Sequence, residues 1–489
     1  MQHRRLAPFA LAVLLALAGC AGLAPQRPAA DALPAGLPSM NAPASASVQQ
    51  DLAIDRWWTH FGDADLDRLI EAALERNADL AVAAARLREA RAQLDEARGA
   101  AQPMVDLQAT SARARASAQS LGLPASRTGS SHQVSLVGRY EIDLWGRLAA
   151  TTDAARSRLA AQAWARASVE WGLSAQLAEA HFTLRGVQRQ LEIAQAVRAS
   201  RARTAAMRGN EHRAGAAPEF ELRRAEAELA AAESTIAALQ RQRLALEAAL
   251  ALLAGEPVES LGAAPEARSP LDPAQAFEVR LPQGDAALLL ERRPDLRQAH
   301  ALLEASHADI AATRAAKLPA LRLSGDIGSD VREIGQLFNA AGFAWSIAAS
   351  VVHSVADGGR STARVEQSEA RADAALAQYR LSVAAAFGEL REAYAALDVA
   401  NDALIAERRR VAALERAHRL ARLGADAGAL AQLDLLDAER NLFQAQLAEV
   451  DAYRDRLIGQ VAAWKALGGG HAGVAVERIA STTSPGDIR

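Results

Sequence analysis

The hexapeptide ERNADL at Glu75–Leu80 returns as ERRPDL at Glu291–Leu296, 216 residues further along the chain. At the same offset Pro103 falls on Pro319, each just ahead of a strand-like segment. Further on the offset settles at 213: Gly146-Arg147 falls on Gly359-Arg360, Gly215 on Gly428, Glu226 on Glu439 and Gly255 on Gly468. A register kept over this much chain marks an internal duplication. The fold must therefore be built twice from one plan, which reads helix, strand, strand, very long helix, turn, long helix.

Proline placement supports the long helices. None occurs between Pro124 and Pro218, and none between Pro319 and Pro485. The stretch Arg147–Arg213 holds 67 residues, and at ~1.5 Å per residue it would reach ~100 Å if helical throughout. Its hairpin mate carries a seam of Leu222, Ala225, Leu229, Ala232, Ile236, Leu239, Leu246, Leu250 and Leu253, broken only at Arg243. Steps alternating between three and four predict coiled-coil-like packing against a neighbouring helix. Phe443, Leu447, Val450, Leu457, Val461 and Trp464 repeat that seam in the second half. Half the residues are apolar but only 4% are aromatic. Such alanine-rich content favours helices over a bulky globular core.

Four segments read as strands. Val134, Leu136, Gly138, Tyr140, Ile142 and Leu144 alternate with Ser135, Val137, Arg139, Glu141 and Asp143. Leu321, Leu323, Gly325 and Ile327 alternate with Arg322, Ser324, Asp326 and Gly328. Phe343, Trp345, Ile347, Ala349 and Val351 alternate with Ala344, Ser346, Ala348, Ser350 and Val352, and the segment around Val105 and Leu107 is the weakest of the four. A period of two with charge on one face suits a sheet between lipid and water. It equally suits two amphipathic hairpins packed on helices. Four strands are too few to close a membrane barrel, which starts at about 8, so two, three or four copies would have to share one.

Residues 1–19 read as a signal peptide: Arg4 and Arg5 precede an apolar run too short to span a bilayer permanently. Leu17-Ala18-Gly19-Cys20 resembles the lipobox of bacterial lipoproteins, in which the cysteine thiol takes a diacylglycerol and its new N-terminus an acyl chain. Cys20 is the only cysteine, so no disulfide can form within one chain. An ordinary signal with a chance cysteine is the alternative. Ala21, where aspartate commonly retains lipoproteins in the inner membrane, points to the outer membrane. Residues 20–50 form an Ala/Pro-rich extended tether, 51–262 the first repeat, 263–470 the second and 471–489 a tail.

Together these motifs resemble the TolC/OprM family of outer-membrane efflux factors, in its NodT-type lipoprotein branch. The matching pieces are Trp58, Phe61, Leu66 and Leu69, YEIDLWGR at Tyr140–Arg147, AEAEL at Ala225–Leu229 and LLLERRPD at Leu288–Asp295. ADGGR at Ala356–Arg360, LLDAERNLF at Leu435–Phe443 and WKALGGG at Trp464–Gly470 complete them. The resemblance implies a homotrimer with a 12-stranded barrel in the outer membrane, continued by a periplasmic α-helical barrel. It further implies a periplasmic adaptor and an inner-membrane RND transporter as partners. Three departures stand out: Ser354-Val355-Ala356 where the family has Pro-Ile-Phe, Ala248 for an asparagine and His300 for a glutamate.

Asp434 and Asp437 lie three apart near the start of a helix and share one face. In a threefold assembly they would form two stacked acidic rings that favour cations, matching the family's periplasmic gate. Ordinary helix N-terminal charge, with Asp437 paired to Arg440, is the plainer account. The equivalent positions of the first repeat are Glu221 and Arg224, so the fold itself does not demand two acids. The turns Ala214-Gly215-Ala216 and Ala427-Gly428-Ala429 match the family's adaptor-docking tips, and helix capping explains their glycines equally well. Trp57, Trp58, Trp145 and Trp345 are candidate interfacial anchors, with core packing the stronger reading for the first two.

A net charge of −3 without basic blocks gives no reason to expect nucleic acid. With no Walker A sequence, no HExxH and no Ser/His/Asp arrangement, the chain is read as a non-enzyme without cofactor, other than the covalent lipid on Cys20. The rival readings are a type I protein-secretion duct and a periplasmic coiled-coil lipoprotein.

Overall fold

The computed structural model describes residues 56–117, 126–257, 271 and 286–468. The signal peptide, Cys20 with its lipid, the tether and the tail 471–489 lie outside the described residues. A 3-10 turn (Trp57–Phe61) precedes α1 (Ala64–Arg76), α2 (Ala78–Gly99), β1 (Met104–Ala116), β2 (Arg127–Ile142), α3 (Arg147–Arg213) and α4 (Glu219–Ala254). The second pass is α5 (Ala286–Arg292), α6 (Pro294–Ala315), β3 (Ala320–Val331), β4 (Phe343–Val352), α7 (Arg360–Asp426) and α8 (Gln432–Ala466). Helix α3 lies within the first proline-free run and covers the whole of Arg147–Arg213, and α7 is equally long at 67 residues.

Two strand boundaries differ from the alternation. Strand β2 starts at Arg127, ahead of Val134, and β1 runs on to Ala116. The added lengths pair with each other, from Thr110↔Gln133 to Ala116↔Arg127. Pairing, not hydrophobic period, extends them. Leu144 lies past the end of β2, where its N–H turns back to the Ile142 carbonyl at 2.9 Å.

The described residues gather into two units, each drawing on both repeats. One comprises residues 88–117, 126–161 and 299–380 and contains a four-stranded antiparallel sheet in the order β1-β2-β3-β4. The duplication reaches its register. Met104 pairs with Arg139 in the first hairpin, and their equivalents at the offsets 216 and 213, Ala320 and Val352, pair in the second.

The other unit comprises residues 56–87, 162–298 and 381–468 as far as they are described, and it holds the core. Trp57, Trp58, Phe61, Leu66, Leu69 and Ile70 pack with Leu177 and Phe182 of α3, Leu250 of α4, and Tyr453, Leu457, Val461 and Trp464 of α8. Full burial of such side chains stabilises by about 1.5–3 kcal/mol each. Every seam residue of α4 is buried or half-buried, as the heptad spacing predicts.

One joint occurs twice. Asn77, between α1 and α2, donates from its amide to the Leu253 carbonyl at 2.9 Å. Arg293, between α5 and α6, donates to the Ala466 carbonyl at 3.3 Å, the equivalent position of α8. Beside each lies a left-handed glycine, Gly255 (φ +66) and Gly468 (φ +89). A Cβ on Gly255 would stand 2.7 Å from the Arg76 carbonyl oxygen, and one on Gly468 3.1 Å from the Arg293 nitrogen. Only glycine fits either place.

Candidate functional site

The sheet has two chemically distinct faces, set by the strand period. Val105, Leu107, Leu136, Tyr140, Leu323, Ile327, Trp345, Ile347 and Val351 share one of them through the register. Asp106, Arg139, Arg322, Asp326 and Ser346 share the other, with Arg139 on Asp106 at 2.8 Å. The large apolar residues of the first face are exposed, Leu107 to 72% and Ile347 to 74%. All ten residues of β4 are exposed, and β1 and β4 each have a free edge. A sheet this apolar and this open must bury its surface against something. Among the described residues no helix is long and apolar enough to cross a membrane.

The two long hairpins end in matching turns. Ala216 N–H donates to the Glu211 carbonyl at 2.8 Å and Gly215 N–H to that of His212 at 2.9 Å. Ala429 N–H reaches the Gly424 carbonyl at 2.7 Å and Gly428 N–H that of Ala425 at 3.0 Å. These bonds, with Gly215 at φ +74 and Gly428 at φ +70, close both helices by six-to-one caps of the Schellman type. Ala214 and Ala427 precede them. The glycines thus have the capping role, which leaves the docking role open.

Asp434 occupies the first turn of α8 and is exposed, forming no ion pair among the described residues. Asp437 sits one turn on and pairs with Arg440 at 3.1 Å, each side chain about half exposed. The acidic pair therefore stands at a helix N-terminus, where its charge suits the dipole. In the first repeat the matching positions hold one acid and one base, Glu221 and Arg224, and the neighbouring Arg223 is taken by Glu219 and Glu226.

Two buried ionic groups have no counterpart in the sequence reading. Asp63 caps α1, accepting from the N–H groups of Asp65 and Leu66 at 3.1 and 3.2 Å. Its other oxygen accepts from His181 Nε2 at 2.9 Å and from Arg185. Burial pushes the Asp63 carboxyl up, but the hydrogen bond and charge of His181, then Arg185 and the Leu66 N–H, outweigh it and hold it well below the usual carboxylate range. His181 and Arg185 lie four apart on one face of α3, a spacing that shows two basic groups but not their distant carboxylate. The other group is Arg293, 2% exposed, which donates to Asp295 at 2.8 Å and Glu389 at 2.7 Å and lies over the Trp171 ring. Desolvation works against its charge, and the two carboxylates more than restore it.

The tryptophans fall into two groups. Trp57 and Trp58 are core residues, whereas Trp345 is 66% exposed on the apolar face. Trp145 is half-buried and donates to the Pro319 carbonyl at 2.8 Å, which ties the sheet base to the start of β3. Two departures from the family pattern have a physical account. Ala248 is exposed, and His300 packs edge-on to Tyr379 with Glu304 at 3.9 Å. Val355 of the third is almost fully exposed, and nothing in the structure explains that change.

The family model for outer membrane efflux proteins matches the chain in two stretches, residues 69–256 and 286–469, one in each repeat. The chain is 32% identical over 467 residues to the outer membrane protein OprJ of Pseudomonas aeruginosa, covering 94% of this chain and 95% of that protein. It is likewise 32% identical over 475 residues to the solvent efflux pump outer membrane protein SrpC of Pseudomonas putida, covering 96% and 99%. The crystal structure of the open state of the Neisseria gonorrhoeae MtrE outer membrane channel superposes with a TM-score of 0.74 at 31% identity, covering 83% of this chain and 89% of that one. The duplicated helical hairpins and the two-faced sheet are thus those of a membrane channel, and the chain belongs to the outer membrane efflux protein family.

Proposed function

We propose that three copies of this chain close their sheets into one 12-stranded barrel and that their long helices continue it as a periplasmic duct. The observation that carries this reading is the four-stranded sheet with two free edges, apolar on one face and polar on the other. Open edges are not tolerated in hydrocarbon, because each unpaired backbone group costs several kcal/mol there. Four strands cannot close alone. Copies joined edge to edge satisfy every strand, present Leu136, Ile327 and Trp345 to lipid, and enclose a lumen lined by Arg139, Asp326 and Ser346.

In this duct the chain performs no reaction. Energy comes from an inner-membrane transporter of the RND type, and a periplasmic adaptor meets the tips at Ala214-Gly215-Ala216 and Ala427-Gly428-Ala429. Asp434 and Asp437 of three copies form the periplasmic gate, with Arg440 as the partner that releases or holds Asp437. Cys20 carries the lipid that tethers the chain to the membrane. The cargo class supported is small toxic organic molecules, as the name of the solvent pump relative suggests.

Oligomer mass in detergent, combined with current across a planar bilayer, tests the proposal. A trimer giving cation-preferring channels is expected. A stable monomer without current would overturn it.

A further inference from the structure

On the apolar face of the sheet the first hairpin changes character towards its loop end. Along β1, Val105, Leu107 and Ala109 give way to Ser111, Arg113 and Arg115. Their partners on β2 are His132, Ser130 and Thr128. The strand period keeps all six on the side that bears Leu136 and Ile327. Arg115 donates from Nε and a terminal nitrogen to Ser126 Oγ at 3.0 and 2.7 Å, and Ser111 Oγ lies 2.9 Å from His132 Nδ1. Arg113 is exposed, and among the described residues no ion pair engages it. None of the six positions is acidic.

The second hairpin supplies a control. At the offsets 216 and 213 the counterparts of Arg113 and Arg115 are Ser329 and Val331, and those of Ser130 and His132 are Phe343 and Trp345. The identical register puts these counterparts at one depth in a closed barrel. Phe343 and Trp345 are exposed aromatics at the loop end of β4. Aromatic rings of this kind mark the level where hydrocarbon meets headgroups. Arg113, Arg115 and His132 therefore stand at that boundary on the side facing lipid, not lumen. An arginine can lay its stem along acyl chains there and present its fork to a phosphate. The loop end is the end away from the long helices, so the leaflet concerned is the outer one. In Gram-negative outer membranes that leaflet consists of phosphorylated glycolipid.

We propose that Arg113 and Arg115, flanked by His132, form a binding site for the phosphates of an outer-leaflet glycolipid. This inference rests on the barrel reading above. The lipid-facing rim of the assembled channel then alternates cationic and aromatic positions, one hairpin holding headgroups and the next marking the boundary.

The test uses the full-length protein in nanodiscs of phosphatidylcholine with added lipid A, bearing or lacking its phosphates, and reads lipid retained by native mass spectrometry. Phosphorylated lipid A is expected to be retained preferentially. Arg113→Ser and Arg115→Val, which install the residues of the second hairpin, should each weaken retention about fivefold. Arg113→Lys should keep most of it, and inorganic phosphate should not compete at equal concentration. Equal retention of dephosphorylated lipid by the wild type, or undiminished retention by the double variant, would overturn the inference. Bilayer current separates the two proposals. Wild-type protein that gives no channel defeats the barrel itself, whereas normal current without phosphate preference defeats only the lipid site.

Discussion

The two repeats share their geometry and differ in their charges. Hairpin register, 67-residue helices, glycine-capped turns and the joint against the last helix recur in both halves. Yet Asn77 is matched by Arg293, Glu221 and Arg224 by Asp434 and Asp437, and Arg113 by Ser329. Features present twice are what the fold requires. Features present once are free of that requirement, and there a function specific to one half becomes readable.

The sharpest way to break this comparison is at the acidic pair. Asp434→Ala with Asp437→Ala should raise resting conductance several-fold and lessen cation preference, while Glu221→Ala at the matching site should leave both unchanged. Single-channel recording decides. An unaltered double variant would remove the pair from the gate.

The joint comes next. Removing a buried, doubly paired arginine strands two carboxylates, here partly exposed, so Arg293→Ala should cost about 2–4 kcal/mol. Asn77→Ala loses the cap of α2, where its Oδ1 accepts from the Asp79 and Leu80 N–H groups, and the bond to Leu253, for about 1–2 kcal/mol. Thermal melts followed by circular dichroism should show the larger drop for Arg293. Equal drops would mean that the charge adds nothing to the shared geometry.

Asp63 sharpens the same point by pH. Its folded carboxyl is held below its unfolded value, so its contribution is complete above the ordinary carboxylate range near 4 and fades as pH falls through the folded value. Melting points between pH 7 and pH 3 should therefore fall more steeply for the wild type than for Asp63→Asn. Parallel curves would contradict the buried network. The smallest effect is expected at His300→Glu, within about 0.5 kcal/mol, because this half-exposed ring makes an edge contact with Tyr379 and a long, exposed one with Glu304 at 3.9 Å. A large loss there would show that its packing matters.

Helix α3 was legible in the sequence because no proline interrupts the run from Ala125 to Ala217 and Gly146 and Gly215 flank the helix. The outer half of β1 was not. Its polar run from Thr110 to Arg115 lacks a hydrophobic period and becomes a strand only through its partners on β2. The same polarity hid the arginines that now stand out on the lipid side. Asp63 was hidden by distance along the chain: its partners His181 and Arg185 lie 118 and 122 residues away. No local signal announces such a meeting. The α4 seam, by contrast, depends on neighbours three and four apart and was visible throughout.

The equal length of α3 and α7 constrains how such a gene can change. One inserted residue would swing everything beyond it by about 100° and advance it by about 1.5 Å, turning seam positions towards water. Lengthening by seven residues, two near-complete turns, keeps the seam aligned. Insertions and deletions in these helices should therefore survive in related genes as multiples of seven, made in both halves together.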